Sequence, residues 1–590
     1  MTATPWGFRD ILPEEAQVRE EIADTVRGCL RRHGCLPVET PLLEDKGSLD
    51  EGGRMADTPF KLFDADRLLV VRPDNTLPIV RMVSSRMAAS DLPLRLRYEA
   101  PVVREQPQFA GASRQFTQLG FELVGAGDAE GDAEVVSLVA ESLRALGLAS
   151  WRIVCGSVKP FRRLLERCDA GLASRVLAAV HANDFVDLDE AVAGSDEPEP
   201  VKRAIRQLPR VHGGIEALDR VDALLAQAGV GEGATAELRA LFEALSGEGG
   251  PAATGADSAA GARVDFDFSL MNSFDYYTGL VFKAYAGGIA DPVGSGGRYD
   301  TVFDGAFPGL DAVPAAGFAF SLERLESARA AEEDAGAMTP AGGDSALGRP
   351  ADGPLRIAVP KGSLKAGTLE ALEAVGLDVS ELRDPGRHLI VRGRDTRADG
   401  TGIGEVEYII VRPTDAPAFT ACGGADCGIC GRDSLIEANL RLLQLVDLEY
   451  GGCRFIEAEP AWRAGEAERN YARRGSLRVA TKYPRIAAAW YASRGVNAEI
   501  VSLHGNIELG PIVGMTDRIV DITATGSTLR ENDLVITGEI LPCTARFFVN
   551  PGRARLDPRV RELADRLAAL MERRHAEGYE NHPVPGATGR

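Results

Sequence analysis

The sequence predicts a chain of several domains whose carboxy-terminal half is an α/β fold with largely parallel sheets. Its 590 residues exceed a single domain, since a domain takes roughly 100–200 residues. The stretch 328–354, which is poor in bulky apolar residues, divides the chain. After it, short apolar runs at 355–359, 408–411, 479–481 and 518–522 alternate with helical patterns, and this alternation is typical of α/β architecture.

The amino-terminal half begins with a predicted helix. Pro13 opens the helix and Gly34 ends it, and apolar residues recur along one face between them. Strand-like runs follow at 68–71, 94–99 and 118–124. The pattern predicts that this half mixes helices and strands.

Two segments lack the material for a core. Residues 246–263 contain almost no bulky apolar side chain, so they cannot bury enough surface to offset the entropy of ordering. We predict a flexible loop there, within a unit that spans 1–327. The longer stretch, 328–354, is flanked by well-patterned sequence, and we predict that it is an interdomain linker.

The composition argues against several classes of protein. The formal net charge is −21, which disfavours nucleic acid as a partner because phosphate binding relies on Lys and Arg. No apolar run approaches the roughly 20 residues that span a bilayer, and the first ten residues lack the layout of a signal peptide. The nine scattered Cys do not indicate a disulfide framework. We therefore expect a cytoplasmic protein with no membrane or nucleic-acid partner.

The sharpest local motif is a turn rich in glycine and hydroxyls that follows an apolar strand. After Asp521 come Thr525, Gly526, Ser527 and Thr528. Glycine lets backbone N–H groups approach a phosphate closely, and the hydroxyls add donors. Taken alone, the segment is equally consistent with a polar turn between a strand and a helix. It resembles the loop of phosphoribosyltransferases that binds 5-phosphoribosyl 1-pyrophosphate (PRPP).

Further motifs in the same half extend this resemblance. They are LRIAVPKG at 355–362, VRPTD at 411–415, GADCGICGRD at 424–433, RVATKYP at 478–484 and LHGNIELGP at 503–511. In this order they resemble the catalytic subunit of ATP phosphoribosyltransferase, in its short form, over about residues 355–580. The resemblance implies two α/β lobes on a periplasmic-binding-protein-like plan, one formed by 355–449 with 546–590 and the other by 450–545.

The implied reaction is the displacement of pyrophosphate from C1 of PRPP by N1 of the adenine of ATP. Catalysis of this kind depends on positioning and charge stabilisation, and arginine suits it because its planar fork grips phosphate oxygens. By resemblance, Arg412 and Arg387 are the predicted catalytic residues. The predicted substrate-binding residues are Lys361, Gly362, Asp426, Glu508, Asp521, Thr523, Thr525, Gly526, Ser527 and Thr528. Mg²⁺ is expected to be held mainly by substrate phosphates.

Two features of this half need separate interpretation. The family usually carries a Glu where this chain has Ala524, and an acid there could hold ribose hydroxyls. Cys422, Cys427 and Cys430 have the spacing of three iron–sulfur ligands, and Cys453 could be a fourth. We favour small buried hydrophobes for these cysteines, and the seven dispersed His do not indicate zinc. We therefore predict no protein-held metal.

The amino-terminal half resembles a second family. Its motifs are VRPDNT at 71–76, VRE at 103–105, RQFTQLGFE at 114–122, DYYTG at 275–279, GSGGRYD at 294–300 and GFAFSLERL at 317–325. In this order they resemble the class II histidyl-tRNA synthetase core over about residues 5–326. The resemblance implies an antiparallel sheet flanked by helices in an α+β domain that dimerises.

The positions that hold histidine in that family are mostly retained. The predicted histidine pocket consists of Asp74, Thr76, Arg104, Gln118, Glu122, Tyr276 and Tyr277. The synthetase places an Arg three residues before its DYYTG-like motif, where this chain has Asn272, and no anticodon-binding domain follows. These departures favour the regulatory paralogue that accompanies short-form ATP phosphoribosyltransferase.

The sequence therefore predicts a fusion of regulatory and catalytic subunits of ATP phosphoribosyltransferase, the first enzyme of histidine biosynthesis. ATP and PRPP are the predicted substrates, L-histidine is the expected feedback inhibitor, and a homo-oligomer is expected. Two alternatives stay open at this point. One is a histidine–tRNA ligase, and the other is a non-catalytic two-lobed ligand-binding protein.

Overall fold

A computed structural model describes most of the chain. The described residues are 4–47, 59–106, 113–127, 129–231, 233–247, 263–270, 277–304, 307, 310, 312–337, 353–397 and 402–577, with side chains of 334–337 left out. Tyr276, Asn272 and nearly all of the loop predicted at 246–263 lie outside the described residues. The chain divides into two compact units, 1–353 and 354–590.

The first unit is built on a nine-stranded sheet of order β1-β5-β6-β12-β11-β10-β7-β9-β8, beside a three-stranded sheet of order β2-β4-β3. Its strands are β1 Leu36–Pro37, β2 Leu43–Asp45, β3 Lys61–Asp64, β4 Arg67–Val71, β5 Leu94–Val103, β6 Gln115–Val124, β7 Trp151–Ser157, β8 His212–Gly213, β9 Val264–Asp267, β10 Leu280–Ala286, β11 Gly294–Arg298 and β12 Ala315–Ser321. Neighbours run antiparallel except β1 with β5 and β7 with β9, which confirms the predicted antiparallel sheet.

Helices accompany the large sheet and fill the stretch between β7 and β9. They are Pro13–Arg32, Thr76–Arg86, Ala129–Ala145, Lys159–Leu165, Ala170–His181, Phe185–Ala193, Glu199–Gln207, Glu216–Gln227, Ala236–Leu245 and Leu322–Ala337. The first helix begins at Pro13 as predicted and buries Ile22, Val26 and Leu30 on one face, because residues four apart share a side of a helix.

The linker prediction is wrong for residues 328–337, whereas residues 338–352 of the same stretch lie outside the described residues. The last helix of the first unit runs Leu322–Ala337, so it continues through the first ten residues of the stretch predicted as linker. Ala328 and Ala331 are buried on this helix. Alanine buries little area but has the highest helix propensity, and a search for bulky apolar residues therefore misses it.

The second unit contains a six-stranded sheet of order β14-β15-β13-β16-β23-β17 and a five-stranded sheet of order β20-β19-β21-β18-β22. Its strands are β13 Leu355–Pro360, β14 Ile390–Arg394, β15 Glu405–Val411, β16 Cys427–Gly431, β17 Leu443–Asp447, β18 Cys453–Pro460, β19 Leu477–Thr481, β20 Ala498–Ser502, β21 Arg518–Thr523, β22 Leu534–Cys543 and β23 Ala545–Val549. Its helices are Lys365–Ala374, Ser380–Arg383, Ala416–Ala421, Arg432–Ala438, Glu466–Arg474, Pro484–Ser493, Leu509–Ile512, Ser527–Glu531, Arg553–Leu556 and Pro558–Ala576.

Both sheets of this unit are mixed, whereas the sequence predicted largely parallel ones. Parallel pairing is confined to β13 with β15 and β16, and to β19 with β20 and β21. The antiparallel pairs are β14 with β15, β23 with β16 and β17, and β18 with β21 and β22. Apart from β14 with β15, each of these pairs includes a strand next to one of the two crossings between the sheets. The chain leaves the first sheet after β17 and returns from the second by β22 and β23, and a strand that returns in this way enters antiparallel.

We call the two halves of this unit the first lobe, around the six-stranded sheet, and the second lobe, around the five-stranded sheet. Each lobe has its own apolar core. The terminal helix Pro558–Ala576 packs into the core of the first lobe through Val560, Leu563 and Leu567. The segments 448–452 and Thr544 are therefore the two crossovers between the lobes.

Candidate active site

Two of the predicted cations follow adjacent parallel strands of the first lobe. Lys361 comes directly after β13 and Arg412 directly after β15, and both side chains are exposed. The backbone N–H of Lys361 donates to the carbonyl of Val411 at 3.0 Å. Because the carboxyl ends of parallel strands meet at one edge of a sheet, this pairing brings the two cations to the edge where open α/β sheets bind ligands.

A cavity of about 370 Å³ opens at this edge. Lys361, Lys365, Thr368, Arg387 and His388 contribute its polar side chains, and apolar side chains such as Ile410 also line it. Arg412 lies two residues beyond Ile410, after the end of the strand. The first lobe therefore gathers Lys361 and Arg387 at one cavity with Arg412 close along the chain.

Gly362 and Asp426, two further predicted residues, differ in their surroundings. Gly362 has a φ of +86° with open space where a side chain would be, so it is accessible. Asp426 is 3% exposed. Its carboxylate accepts the backbone N–H of Arg356 at 2.8 Å and lies 3.3 Å from the guanidinium of Arg553. The structure thus gives Asp426 a buried role in joining β13 to the helix Arg553–Leu556.

The predicted phosphate loop lies between β21 and the short helix Ser527–Glu531 of the second lobe. The hydroxyl of Thr523 accepts the backbone N–H of Gly526 at 2.9 Å. The hydroxyls of Thr525 and Ser527 are 3.1 Å apart, and both side chains are exposed, as is Thr528. Gly526 has a φ of +70°, a conformation that side chains disfavour. The loop therefore presents its hydroxyls to solvent, while the N–H groups of Gly526 and Ser527 donate within the loop.

Acidic side chains lie beside this loop. Burial raises the pKa of Asp521 to about 6, and the nearby carboxylate of Glu508 adds to the rise. The backbone N–H of Ile522, which donates to Asp521 at 2.8 Å, and the ammonium of Lys482 act in the opposite direction. Burial raises the pKa of Asp433, and the ammonium of Lys482 offsets part of this rise. Ala524 is exposed between the two threonines of the loop and adds no carboxylate.

Lys482 and Asp433 are functional candidates that the sequence reasoning quoted within motifs but did not assign. Asp433 lies in the helix after β16 of the first lobe, whereas Lys482 follows β19 of the second. Lys482 therefore acts electrostatically on one acid from each lobe, Asp433 and Asp521. Both residues lie in motifs that carry the family resemblance, and this position could have indicated a functional role. That Lys482 acts on both acids depends on how the two lobes fold together.

The cysteines of the first lobe lie in and around β16. Cys427 and Cys430 are completely buried, and burial raises the pKa of both thiols. Cys422 is exposed. Across the described ranges, no group of three or more His, Cys, Asp or Glu is arranged to hold a metal ion.

The first unit contains a buried carboxyl surrounded by hydroxyls. Glu122 is 2% exposed and accepts hydrogen bonds from the hydroxyls of Thr76 at 3.0 Å, Tyr98 at 3.2 Å and Tyr299. Burial raises the pKa of Glu122 to about 8, although these hydrogen bonds oppose the rise. Gly317 faces the carboxylate from β12, and a side chain there would collide with it.

The other predicted pocket residues surround Glu122 to differing extents. Asp74 raises the pKa of Glu122, and burial together with both acids raises the pKa of Tyr277. Arg104 donates to the carbonyl of Pro73 at 2.8 Å and partly offsets the rise at Tyr277. Gln118 is engaged by Asn75, whose backbone and amide N–H groups donate to it at 3.1 and 2.8 Å. Sequence reasoning missed Tyr98 and Tyr299, although Tyr299 lies in a quoted motif.

Among the described helices of both units, none is both long enough and apolar enough to cross a bilayer.

Family models match both units. A model described as histidyl-tRNA synthetase matches residues 7–325, and one described as ATP phosphoribosyltransferase matches residues 412–571. An ATP phosphoribosyltransferase from Rubrobacter xylanophilus is 45% identical over 232 residues, which cover 39% of this chain and 99% of that protein. An ATP phosphoribosyltransferase regulatory subunit from the same organism is 35% identical over 349 residues, which cover 58% of this chain and 80% of that protein.

A solved structure from Bacillus halodurans is similar in sequence to the larger part of the chain. It is described as an ATP phosphoribosyltransferase regulatory subunit/histidyl-tRNA synthetase. The two sequences are 27% identical, the match covers 65% of this chain and 91% of that chain, and the TM-score is 0.49.

Proposed function

We propose roles for the residues of both sites on the premise that this chain belongs to the ATP phosphoribosyltransferase family through its second unit and to the histidyl-tRNA synthetase family through its first. The chain is an ATP phosphoribosyltransferase with a fused domain similar to that enzyme's regulatory subunit. It catalyses the first step of L-histidine biosynthesis, in which ATP and PRPP give N1-(5-phosphoribosyl)-ATP and pyrophosphate.

The cations of the first lobe stabilise the negative charge of the reaction. As N1 of adenine bonds to C1 of the ribose, the C1–O bond breaks and pyrophosphate leaves with the electron pair. Lys361 and Arg387, which line one cavity, and Arg412, which follows the neighbouring strand β15, meet the charge that grows on the leaving group. Fixed cations are effective here because they need no reorganisation during the reaction. The shared cavity is the observation that carries this assignment.

The second lobe holds PRPP. The exposed hydroxyls of Thr525, Ser527 and Thr528 and the N–H groups at the start of the short helix suit a phosphate group. Asp521 and Glu508 face the same region and raise the local density of negative charge. Lys482 balances part of that charge, and we assign it to the electrostatics of PRPP binding.

Magnesium fits this arrangement as an ion delivered with PRPP. Carboxylate oxygens suit Mg²⁺, which usually binds through one or two carboxylates plus substrate phosphates, and Asp521 with Glu508 supplies such a pair. When bound, the ion neutralises charge on the pyrophosphate. The protein's part is to hold two carboxylates close enough that one raises the pKa of the other.

The activity has a direct test. The full chain is incubated with ATP, PRPP and Mg²⁺, and N1-phosphoribosyl-ATP and pyrophosphate are separated by chromatography and quantified. We expect equal amounts of both products and none when either substrate is omitted. Absence of product over a range of salt concentrations, with and without histidine, would contradict the assignment. In a separate incubation with ATP, Mg²⁺, L-histidine and tRNA, charging of the tRNA would favour the synthetase alternative.

The first unit is proposed to bind L-histidine and inhibit the transferase. Asp74 and Glu122 lie close enough to raise the pKa of Glu122, and an α-ammonium group would relieve that repulsion. Tyr277 and Arg104 complete a polar lining for the imidazole and the carboxylate. Regulation also requires that histidine bind two states of the protein with different affinities. Calorimetric titration with histidine and inhibition of turnover test the two parts separately. Unchanged turnover at saturating histidine would refute the inhibition.

Self-association is proposed from exposed apolar side chains of the first unit. Leu12, Leu36 and Phe63 are 69%, 62% and 80% exposed, and burial of such side chains against a second copy would remove apolar surface from water. Light scattering of the native chain is expected to give more than one copy. A Phe63→Ser variant is expected to weaken the assembly, and a monomeric native chain would exclude self-association.

We place the protein in the cytoplasm, where its nine free thiols match a reducing compartment.

A further inference from the structure

Two thiols face each other at the edge of the second lobe. Cys453 is the first residue of β18, Cys543 is the last of β22, and the antiparallel register places them directly opposite. Residues opposite each other in such pairs have Cα atoms about 4.5–5.5 Å apart, which lies within the span that a disulfide bridges. The Sγ of Cys453 is 3.7 Å from the carbonyl oxygen of Cys543, so this side chain extends across the pair.

The two thiols are free and differ in access to solvent. Cys543 is 1% exposed, whereas Cys453 is half-buried. The side chain of Cys453, together with burial, raises the pKa of Cys543. The pair therefore contains one sulfur that a small reagent reaches first and a second, buried sulfur on the residue directly opposite.

This pair flanks both crossovers between the lobes. Cys453 follows the crossover 448–452, and Thr544 alone separates Cys543 from β23 of the first lobe. The backbone N–H of Ala545, the first residue of β23, donates to the carbonyl of Tyr450 at 2.9 Å, so the first crossover contacts the strand that follows the second. Hinges between lobes consist of a few terminal residues that absorb changes in φ and ψ. A covalent bond at this point would restrict the residues that must move.

The pair also neighbours the PRPP site. Cys543 and the partly buried Cys453 belong to the apolar cluster that contains Tyr483. The pKa of Tyr483 is raised by burial and then by Asp433, Asp521 and both thiols, so the ring lies among all of these groups. Tyr483 directly follows Lys482, the cation assigned to that site.

We propose that Cys453 and Cys543 form a reversible disulfide that restrains the hinge between the lobes of the transferase. The oxidant is a low-molecular-weight disulfide. The thiolate of Cys453 attacks it, which forms a mixed disulfide and releases one small thiol. The sulfur of Cys543, after losing its proton, then displaces the second small thiol and closes the protein disulfide. In sum, the two protein thiols lose two protons and two electrons, and the reagent becomes two thiols.

The test treats the full chain with oxidised glutathione and analyses it without reduction. We expect mass spectrometry to show the loss of two hydrogens and a cross-linked peptide containing Cys453 and Cys543. Turnover is expected to fall and to recover after dithiothreitol. Cys453→Ser and Cys543→Ser should each abolish both the cross-link and the fall in turnover. Cys422→Ser, a change at an exposed thiol, should retain both effects.

Two results would overturn the proposal. Glutathione on Cys422 with Cys453 and Cys543 still open to alkylation would show that the pair does not close. A complete cross-link with unchanged turnover would show that the bond does not restrain the enzyme. The first readout is independent of the catalytic assignment and needs no variant to fold, so failure of the bond and failure of the proposed function remain distinguishable.

Discussion

The hydroxyl of Thr523 accepts the backbone N–H of Gly526 at 2.9 Å and closes the loop that is predicted to bind phosphate. This bond fixes the turn that carries Thr525, Ser527 and Thr528 toward solvent. The loop is therefore already shaped before any phosphate arrives.

Thr523→Val should loosen this loop because the isosteric side chain cannot accept the N–H. A hydrogen bond of this kind is worth about 0.5–1.5 kcal/mol, so we expect the KM for PRPP to rise by up to about tenfold. Thr523→Ser keeps the acceptor and is the matched control. Steady-state kinetics with varied PRPP measure both, and an equal KM for the Val and Ser variants would remove this bond from PRPP binding.

Arg412→Ala should lower kcat far more than it weakens ATP binding. The guanidinium is assigned to charge that develops on pyrophosphate, and loss of one such group costs about 10²–10³ in kcat. Arg573→Ala is the matched control, because Arg573 is an exposed arginine of the terminal helix in the same unit. Steady-state turnover and ATP titration separate the two effects. An unchanged kcat would take Arg412 out of its assigned role.

The parts of the site that depend on local pattern could be predicted from the sequence. Lys361 and Arg412 follow short apolar strands, and parallel neighbours bring such positions to one edge. The consecutive glycine and hydroxyls of 525–528 predict a phosphate loop only together with their resemblance to the PRPP loop, since taken alone they are equally consistent with a polar turn. These positions need no knowledge of the tertiary structure beyond strand order.

Positions that depend on tertiary contact could not be predicted in this way. Asp426 belongs to a motif, yet it is buried against Arg356 and Arg553, and a motif does not tell which way a side chain faces. Lys482 meets Asp433 and Asp521 only because two lobes fold together. The mixed sheets follow likewise from strands that return between the lobes.

The pH dependence of PRPP use should report Asp521. Its pKa of about 6 means that the carboxylate forms as pH rises through that value. If the ionised form binds PRPP with its magnesium, kcat/KM for PRPP rises with pH across this range. Glu508→Gln removes a repelling charge and should move the midpoint to lower pH, whereas Lys482→Met should move it to higher pH. Rate profiles between pH 5 and 8 measure these shifts, and shifts in the same direction for both variants would contradict the arrangement.

Glu122 should make the first unit less stable as pH rises. Its folded pKa is about 8, well above the usual carboxyl value of about 4.3. Between these values the folded state holds more protons than the unfolded state, so the free energy of unfolding falls with increasing pH. Glu122→Gln cannot titrate, and its stability should lack this component. The advantage of the native chain over the variant should therefore shrink by a few kcal/mol between about pH 4.5 and pH 8.

Thermal unfolding of native and Glu122→Gln chains at a series of pH values measures that difference. Glu134→Gln is the matched control, because Glu134 is a partly exposed carboxylate of the same unit that is paired with Arg95. Histidine adds a second readout. Its ammonium should favour the ionised form of Glu122, so binding near pH 7 should release protons, which calorimetry in buffers of different ionisation enthalpy detects. A native chain whose difference from Glu122→Gln is constant across this pH range would show that Glu122 is ionised throughout.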